Sequence, residues 1–380
     1  MLKLLTPRAT AQRVRLVPPP SVVLQPENPF LHVAEPSTSL TMSHLWRLSK
    51  GPLTTWVAIS AFPGYLISVA WPFDPLIAGS VFIGTALTSA CAQTLNQVIE
   101  KDRDSLMLRT RMRPLPTGSV DSTSALMFAG ASGCLGAAVL SVGAAGVVPA
   151  AIACSTAALY AGVYTPLKVL TEYNTHVGAL VGAIPVLIGF AAAGVPLGSC
   201  LSPWGLFALQ TLWQFPHFYA LAWLHKEDYA AGGYRMAPML DLNGHKTARM
   251  CVPYLAALTA LPFVLSGLGV TSYMFAISGS IPNVLWIWLG WRPFSVAPSK
   301  ATARSFFLHS LWYLIAMYGA FTLHADEKGV CKENDWRSAV RGQLVEACPH
   351  NWACRDWLVS ASLCPVDSQG PQEEPEVCLN

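Results

Sequence analysis

Charge is what this sequence has least of. Only 12% of its 380 residues are Asp, Glu, Lys or Arg, against about 25% in a soluble domain. The few charges are clustered and leave long segments with none. That excludes an ordinary soluble domain and points to an all-α polytopic membrane protein. The first 26 residues contain no acid, and no apolar core there is long enough for a secretory signal. Metal-ligand spacing is also missing from the membrane-region cysteines. Cys91, Cys134, Cys154, Cys200 and Cys251 fall in or beside apolar runs and read as small core residues. Internal repeats of the kind that build transporters are not evident. The net charge of +3 matters less than its placement, and no nucleic-acid partner is expected.

What is there divides into three. Residues 1–43 carry Lys3, Arg8, Arg13 and Arg15 before the first acid, Glu27. This fits an organelle transit peptide, with a cytosolic tail as the alternative. Residues 44–324 hold nine apolar runs, at 52–71, 76–99, 123–142, 145–164, 176–195, 204–224, 250–268, 272–291 and 304–324. Each is near the roughly 20 residues a bilayer core requires. With nine spans the connections alternate between two sides. One side takes fifteen Lys and Arg, from Arg47 to Arg304, and the other takes none. The charged side would be the matrix, or a bacterial cytoplasm. Residues 325–380 form an acidic tail with five bases, ten acids and five cysteines. By span parity this tail lies on the far side, with free thiols or one disulfide.

The chain is organised around Gln93–Gly118. Asn96, Glu100 and Asp104 recur every four residues, so they share one stripe of a helix with Gln93 one turn back. Arg109, Arg111 and Arg113 follow, and Pro114 with Pro116 are expected to stop the helix. Hard oxygen ligands suit Mg²⁺, and guanidinium forks suit phosphate. A metal with a diphosphate is the simplest ligand that uses both sets. A solvated, mixed-charge loop is the other reading.

Two further polar clusters sit on the charged side. Tyr164-Thr-Pro-Leu-Lys168 is followed by Asn174; Lys168 reads either as a phosphate contact or as a snorkelling interfacial lysine. The sixth run holds Trp213, Gln214, His217 and Phe218, then Lys226, Glu227 and Asp228. Polar groups at that depth normally face a cavity. His217 reads equally as a core histidine bonded to a carbonyl. Glu227 and Asp228 could supply metal ligands opposite Glu100 and Asp104, or could be solvated loop charges.

Taken together these motifs resemble one family. Asn96, Glu100, Asp104, Met107, Arg109, Thr110, Arg113, Pro114 and Leu115 follow N-x-x-x-E-x-x-x-D with M-x-R-T-x-x-R-P-L. Tyr164–Lys168, Asn174–Pro185, Trp213–Phe218 and Glu227–Tyr229 match Y-T-P-x-K, N-T-x-V-G-A-x-x-G-A-I-P, W-Q-x-P-H-F and E-D-Y in order. This resembles the protoheme IX farnesyltransferases, the heme O synthases among the UbiA-type intramembrane prenyltransferases, over about residues 44–324. Gly232–Met236 is similar to the mitochondrial version. Other UbiA-type enzymes place an aspartate directly after the first Asn; here it is Gln97.

The resemblance implies a UbiA-like bundle of about nine helices around a central cavity. It implies transfer of farnesyl from farnesyl diphosphate to the vinyl group of heme B, with water added, giving heme O and diphosphate. Asn96, Glu100 and Asp104 would place one Mg²⁺ and Asp228 a second. Arg109, Arg113, Lys168 and Lys226 would hold the diphosphate. Tyr164, Asn174, Trp213, Gln214, His217 and Phe218 would line the heme and prenyl cavity. Multi-pass insertion in the mitochondrial inner membrane is implied, with the site facing the matrix, the tail in the intermembrane space and a heme-hydroxylating enzyme downstream. The alternatives are a prenyltransferase acting on a quinone or chlorophyll precursor, a transporter, and an assembly subunit. Oligomeric state is not encoded in any of these motifs.

Overall fold

The structure, a computed structural model, describes residues 40–69, 73–144, 146–195, 197–198 and 201–325. The expected transit segment and cysteine tail lie outside these, apart from their inner edges. Among the described residues the regular structure is helical, with an isolated bridge between Thr271 and Ala325. A short helix α1 (Met42–Leu48) leads into α2 (Gly51–Ser68) and α3 (Pro75–Ile99). Helix α4 (Lys101–Leu106) continues from α3 across Glu100, and α5 (Ser122–Gly143) returns. Then come α6 (Val147–Leu170), α7 (Asn174–Ala192), α8 (Ser202–Leu224) and the short α9 (Lys226–Ala231). Helices α10 (His245–Gly267), α11 (Tyr273–Val296) and α12 (Lys300–His324) complete the bundle.

Each of the nine apolar runs becomes a long helix. Seven of the described helices are long and apolar enough to cross a membrane by length and composition. The other two are α2, which carries Thr54, Thr55, Pro63 and Ser60, and α8, which carries Gln210, Gln214, Pro216 and His217. Both spend apolarity on residues that face the interior, as a cavity-lining helix must. Helix α4 ends at Leu106, well before Pro114; the 107–120 segment is a series of turns instead. The helix therefore stops earlier than the prolines predict. Met107 N bonds back to Asp104 O and Thr110 Oγ1 takes the same carbonyl, which closes the helix before either proline is reached.

The bundle has two packed halves. Phe190, Trp213, Phe215, Trp223, Phe275 and Phe306 belong to one buried cluster on α7, α8, α10, α11 and α12. Ala61, Tyr65, Val81, Leu140 and Ile188 belong to another on α2, α3, α5 and α7. Lipid offers no hydrophobic drive between helices, so close approach depends on small residues. At the crossing of α2 and α7 the backbones touch. A Cβ at Gly189 would lie 2.0 Å from Ala61 O, and one at Gly64 would lie 2.3 Å from Val186 O. Backbone cannot move aside as a side chain can. Gly189→Ala is therefore expected to cost about 1–3 kcal/mol as overpacking, read as a lower midpoint of denaturant unfolding in bicelles. An unchanged midpoint would rule out this contact as a constraint.

The basic connections meet at one end of the bundle. Arg47 bonds to Met112 O, Arg103 Nη1 to Gly232 O (3.0 Å) and Arg235 N to Lys168 O (2.8 Å). Lys300 pairs with Glu227 at 3.1 Å. The loops that follow α3, α6 and α8 are thus one assembly, as span parity requires.

Candidate active site

A cavity of about 490 Å³ opens at that end, walled by α2, α3, α6, α7, α8 and α12. Its depth is mostly apolar, with Trp56, Val57, Ile188, Leu311 and Leu314. Its mouth carries Lys50, Glu100, Asp104, Arg109, Arg113 and Lys168. Volumes of several hundred cubic ångströms are typical of ligand sites.

The Asn96–Glu100–Asp104 stripe faces inward. The three residues are 0%, 6% and 1% exposed, and Glu100 and Asp104 line the cavity. Hydrogen bonds from Glu100 N to Asn96 O (2.9 Å) and from Asp104 N to Glu100 O (2.8 Å) carry the helical register across the junction of α3 and α4. Both acids of the stripe have a cation. Glu100 Oε1 accepts from Lys168 Nζ at 3.0 Å, and Asp104 Oδ2 accepts from Arg113 Nη1 at 2.7 Å. Burial alone would raise the Glu100 carboxyl; the Lys168 and Lys50 cations outweigh it, so the group lies below its usual range.

Lys168 reaches the mouth through an irregularity that sequence periodicity does not reveal. Residues Leu159–Tyr164 of α6 form a π-turn, a feature frequent at functional sites. It contains two cavity-facing tyrosines, Tyr160 and Tyr164. Tyr160 Oη donates to Gln93 Oε1 (3.1 Å), and Lys168 Nζ lies 4.8 Å from the centroid of Tyr164.

Lys50 is a site residue that sequence reasoning missed, counted there only as one of the fifteen bases. It has φ 47°, the one positive φ of a non-glycine among the described residues. Such a backbone is costly and persists where the surroundings enforce it. Here Trp46 packs directly over Gly51, and the Lys50 Nζ donates to Asn96 Oδ1. Burial, then the Arg113 and Lys168 charges, hold its amine well below the usual lysine range. The available signal was a lysine set immediately before Gly-Pro at the start of a span. Gln97 supports the same corner: its Nε2 donates to Arg47 O (2.9 Å) and Leu48 O (2.6 Å). It faces the chain entering α2, away from the cavity wall.

Several expected residues do not reach the cavity wall. Asp228 is half-buried at the rim, where its Oδ1 accepts from Leu108 N (3.1 Å) and ties the second carboxylate loop to the first. Lys226 turns away from the mouth. Its Nζ donates to Asp241 O and Leu242 O and lies 4.6 Å from the Trp223 ring centroid. Asn174 is fully buried and donates to Thr171 O and Arg235 O, both at 2.7 Å. Asn96 sits just behind the wall, with its Nδ2 on Thr165 Oγ1 (2.9 Å). Glu227 is an exposed partner of Lys300. By contrast Tyr164, Trp213, Gln214, His217, Phe218 and Arg109 all line the cavity.

The deeper wall is held in place by α8 and α12. Trp213 Nε1 donates to Ser310 O (2.8 Å), and Gln214 Nε2 to Ala179 O (2.9 Å). Ser310 Oγ donates to Phe307 O (2.5 Å), so it accepts from His217 Nδ1 at 2.6 Å. That assigns the proton of a neutral imidazole to Nδ1 and leaves Nε2 with its lone pair.

A Mg²⁺ fits this mouth as part of a substrate complex. Among the described residues no three His, Cys, Asp or Glu side chains converge into a ready ligand set. Mg²⁺, however, is usually held by one or two carboxylates plus substrate phosphates and water. Asp104 Oδ1 is buried with no hydrogen-bond partner, a hard oxygen left over after Arg113 has taken Oδ2. An acidic and cationic mouth above an apolar chamber defines a membrane enzyme for a lipid with an anionic head.

Comparison with known proteins agrees. The profile of the UbiA prenyltransferase family matches residues 57–312. A protoheme IX farnesyltransferase of Koribacter versatilis is 34% identical over 322 residues, covering 80% of this chain and 98% of that one. The mitochondrial protoheme IX farnesyltransferase of Arabidopsis thaliana is 36% identical over 310 residues, covering 79% and 70%. The fold is shared with a UbiA homolog from Aeropyrum pernix in its apo form (TM-score 0.59, 20% identity, 71% and 96% covered). It is shared too with one from Archaeoglobus fulgidus bound to DMAPP and Mg²⁺ (TM-score 0.57, 14% identity, 73% and 99% covered). The chain belongs to the UbiA prenyltransferase family, in the group of the protoheme IX farnesyltransferases.

Proposed function

We propose that this chain transfers a farnesyl group from farnesyl diphosphate to a vinyl group of heme B, adding water and releasing diphosphate, to give heme O. The observation that carries the reading is the division of one cavity into a mouth of paired acids and cations and an apolar, aromatic-lined interior. Burying about 15 prenyl carbons at about 0.8 kcal/mol each gives a gross gain of roughly 10 kcal/mol or more. Binding can then come from the tail and the porphyrin, and the mouth need only orient and ionise the head group.

Asp104 and Glu100 would hold the Mg²⁺, with Asn96 and Asp228 completing the rim. When bound, the ion supplies charge neutralisation on the diphosphate. Lys168, Arg113, Arg109 and Lys50 neutralise the departing anion as the allylic C–O bond breaks. Glu100 and Asp104 keep Lys168 and Arg113 in place before the substrate arrives, and Asn96 does the same for Lys50. The allylic cation forms below the mouth, where Phe218 and Trp213 present aromatic faces and water is scarce. The heme vinyl group captures it, and a water adds to the carbocation this leaves on the porphyrin side chain and gives up a proton. His217 is placed to meet the porphyrin with a free Nε2, either at the iron or at the ring edge. Lys226 has no part in this scheme, since its ammonium is committed to the α9–α10 connection.

The protein is proposed to act in the mitochondrial inner membrane with the mouth toward the matrix. The N-terminal segment would be a transit peptide, and the tail would extend into the intermembrane space. Heme O would pass to a hydroxylating enzyme for heme A formation. The test is heme extraction from a heme-O-deficient strain complemented with this gene. Heme O on chromatography is the expected result. Heme B alone, with the protein present in the membrane, would reject the reading. A labelled quinone product instead would move the chain to the quinone branch.

A further inference from the structure

Besides Asp104 Oδ1, the mouth holds a second buried polar atom without a hydrogen-bond partner, the Tyr234 hydroxyl. Tyr234 lines the same cavity and is 4% exposed. The two atoms are complementary. One is an acceptor left beside an arginine, and the other is a donor left beside the Glu100–Lys168 pair. A buried hydroxyl without a partner is unfavourable, so the surrounding packing must hold it there.

That packing is specific. Gly233 turns the chain with φ 69°, and Tyr234 N donates to Tyr229 O at 3.0 Å. The following amide, Arg235 N, is fixed on Lys168 O. The preceding carbonyl, Gly232 O, is fixed by Arg103. The ring lies against Gly232, where a Cβ would come within 2.9 Å of it. It meets the Tyr229 ring edge-on at 5.8 Å and packs with Met107, Ala222 and Met236. The ring is thus clamped on several sides and cannot swing its hydroxyl out to water. A phenol is a hydrogen-bond donor at neutral pH, and this one is turned toward the Glu100 carboxylate at the mouth.

We propose that the Tyr234 hydroxyl donates a hydrogen bond to a diphosphate oxygen of the prenyl substrate, acting as an uncharged leaving-group donor beside Lys168 and Arg113. This rests on the prenyl-diphosphate reading above. As the allylic C–O bond breaks, its electron pair passes to the diphosphate oxygen. The phenol keeps its proton, and its hydrogen bond strengthens as that charge grows. Lys168 and Arg113 already share their charge with Glu100 and Asp104. A neutral donor can approach the anion without displacing either pair.

Tyr234→Phe tests this, because the hydroxyl it removes has no partner at full hydrogen-bond geometry in the protein, only an interaction with the Glu100 carboxylate that falls short of it. The full chain in phosphatidylcholine nanodiscs would be titrated with inorganic diphosphate in the presence of Mg²⁺, and assayed with farnesyl diphosphate and heme B. The variant is expected to bind diphosphate about tenfold or more weakly, in keeping with loss of a hydrogen bond to a charged group. It should turn over correspondingly more slowly, with heme B absorbance and unfolding midpoint unchanged. Equal diphosphate affinity and equal turnover would overturn the assignment and leave Tyr234 a packing residue. A variant that loses heme B binding or unfolds earlier would overturn it as well. If the wild-type chain binds no diphosphate with Mg²⁺, the prenyl-diphosphate reading fails, and this assignment with it.

Discussion

Asp104→Asn is expected to lower heme O formation by about 100-fold or more. The substitution keeps the shape and both polar atoms of a side chain that is 1% exposed, so packing is preserved. It removes the negative charge. The amide keeps one oxygen: if that oxygen stays on Arg113 it is a weaker, uncharged acceptor, and the position of Oδ1, the buried oxygen with no partner in the protein, then carries an NH2 that cannot ligate a divalent cation. Both effects act on the departing diphosphate, where charge develops. Heme O per milligram of membrane protein, with farnesyl diphosphate, heme B and Mg²⁺ supplied, is the measurement. Turnover within tenfold of wild type at equal protein abundance would remove Asp104 from the mechanism.

The second large effect separates structure from chemistry. Lys168→Met should destabilise the protein by about 3–5 kcal/mol, because it leaves the Glu100 carboxylate buried without its cation. Both side chains of that pair are nearly inaccessible, at 11% and 7%. Lys50 offsets part of the loss, since it lies close enough to Glu100 to help keep the carboxyl ionised. Adding Glu100→Gln to Lys168→Met removes the stranded charge and should restore most of the stability. It should not restore turnover, because both groups are assigned to the substrate head. Unfolding midpoints of the two single variants and the double variant in bicelles form the cycle. Simple additivity of the two losses would contradict a coupled buried pair. Active double variants would contradict the catalytic assignment.

Gln97 shows how far a one-dimensional reading carries. Its position after Asn96 separates this chain from enzymes with an aspartate there, and the sequence alone exposes that difference. Why a neutral amide suits the position appears only in three dimensions, where it bonds to two backbone carbonyls of the segment that carries Lys50. Asp228 and Lys226 differ in the same way. Asp228 stands in the Glu227–Tyr229 motif and Lys226 immediately before it, yet one ties two loops together and the other packs on Trp223. Residues two apart on a short helix point in different directions, and only the neighbouring chain decides which direction meets the cavity.

By itself the sequence determined the membrane class, the nine runs, the single stripe shared by Asn96, Glu100 and Asp104, and the clustering of cations on alternate connections. These are local properties: hydropathy per residue and a turn of 3.6 residues fix them without reference to the rest of the chain. Tertiary packing decided the partners. Glu100 and Lys168 lie 68 positions apart, and Lys50 and Asn96 lie 46 apart. Tyr234 comes to the mouth on a loop with no periodicity of its own. Coulomb attraction and the cost of burying polar groups select such pairs only after the helices have been packed side by side, and no spacing along the chain contains that information.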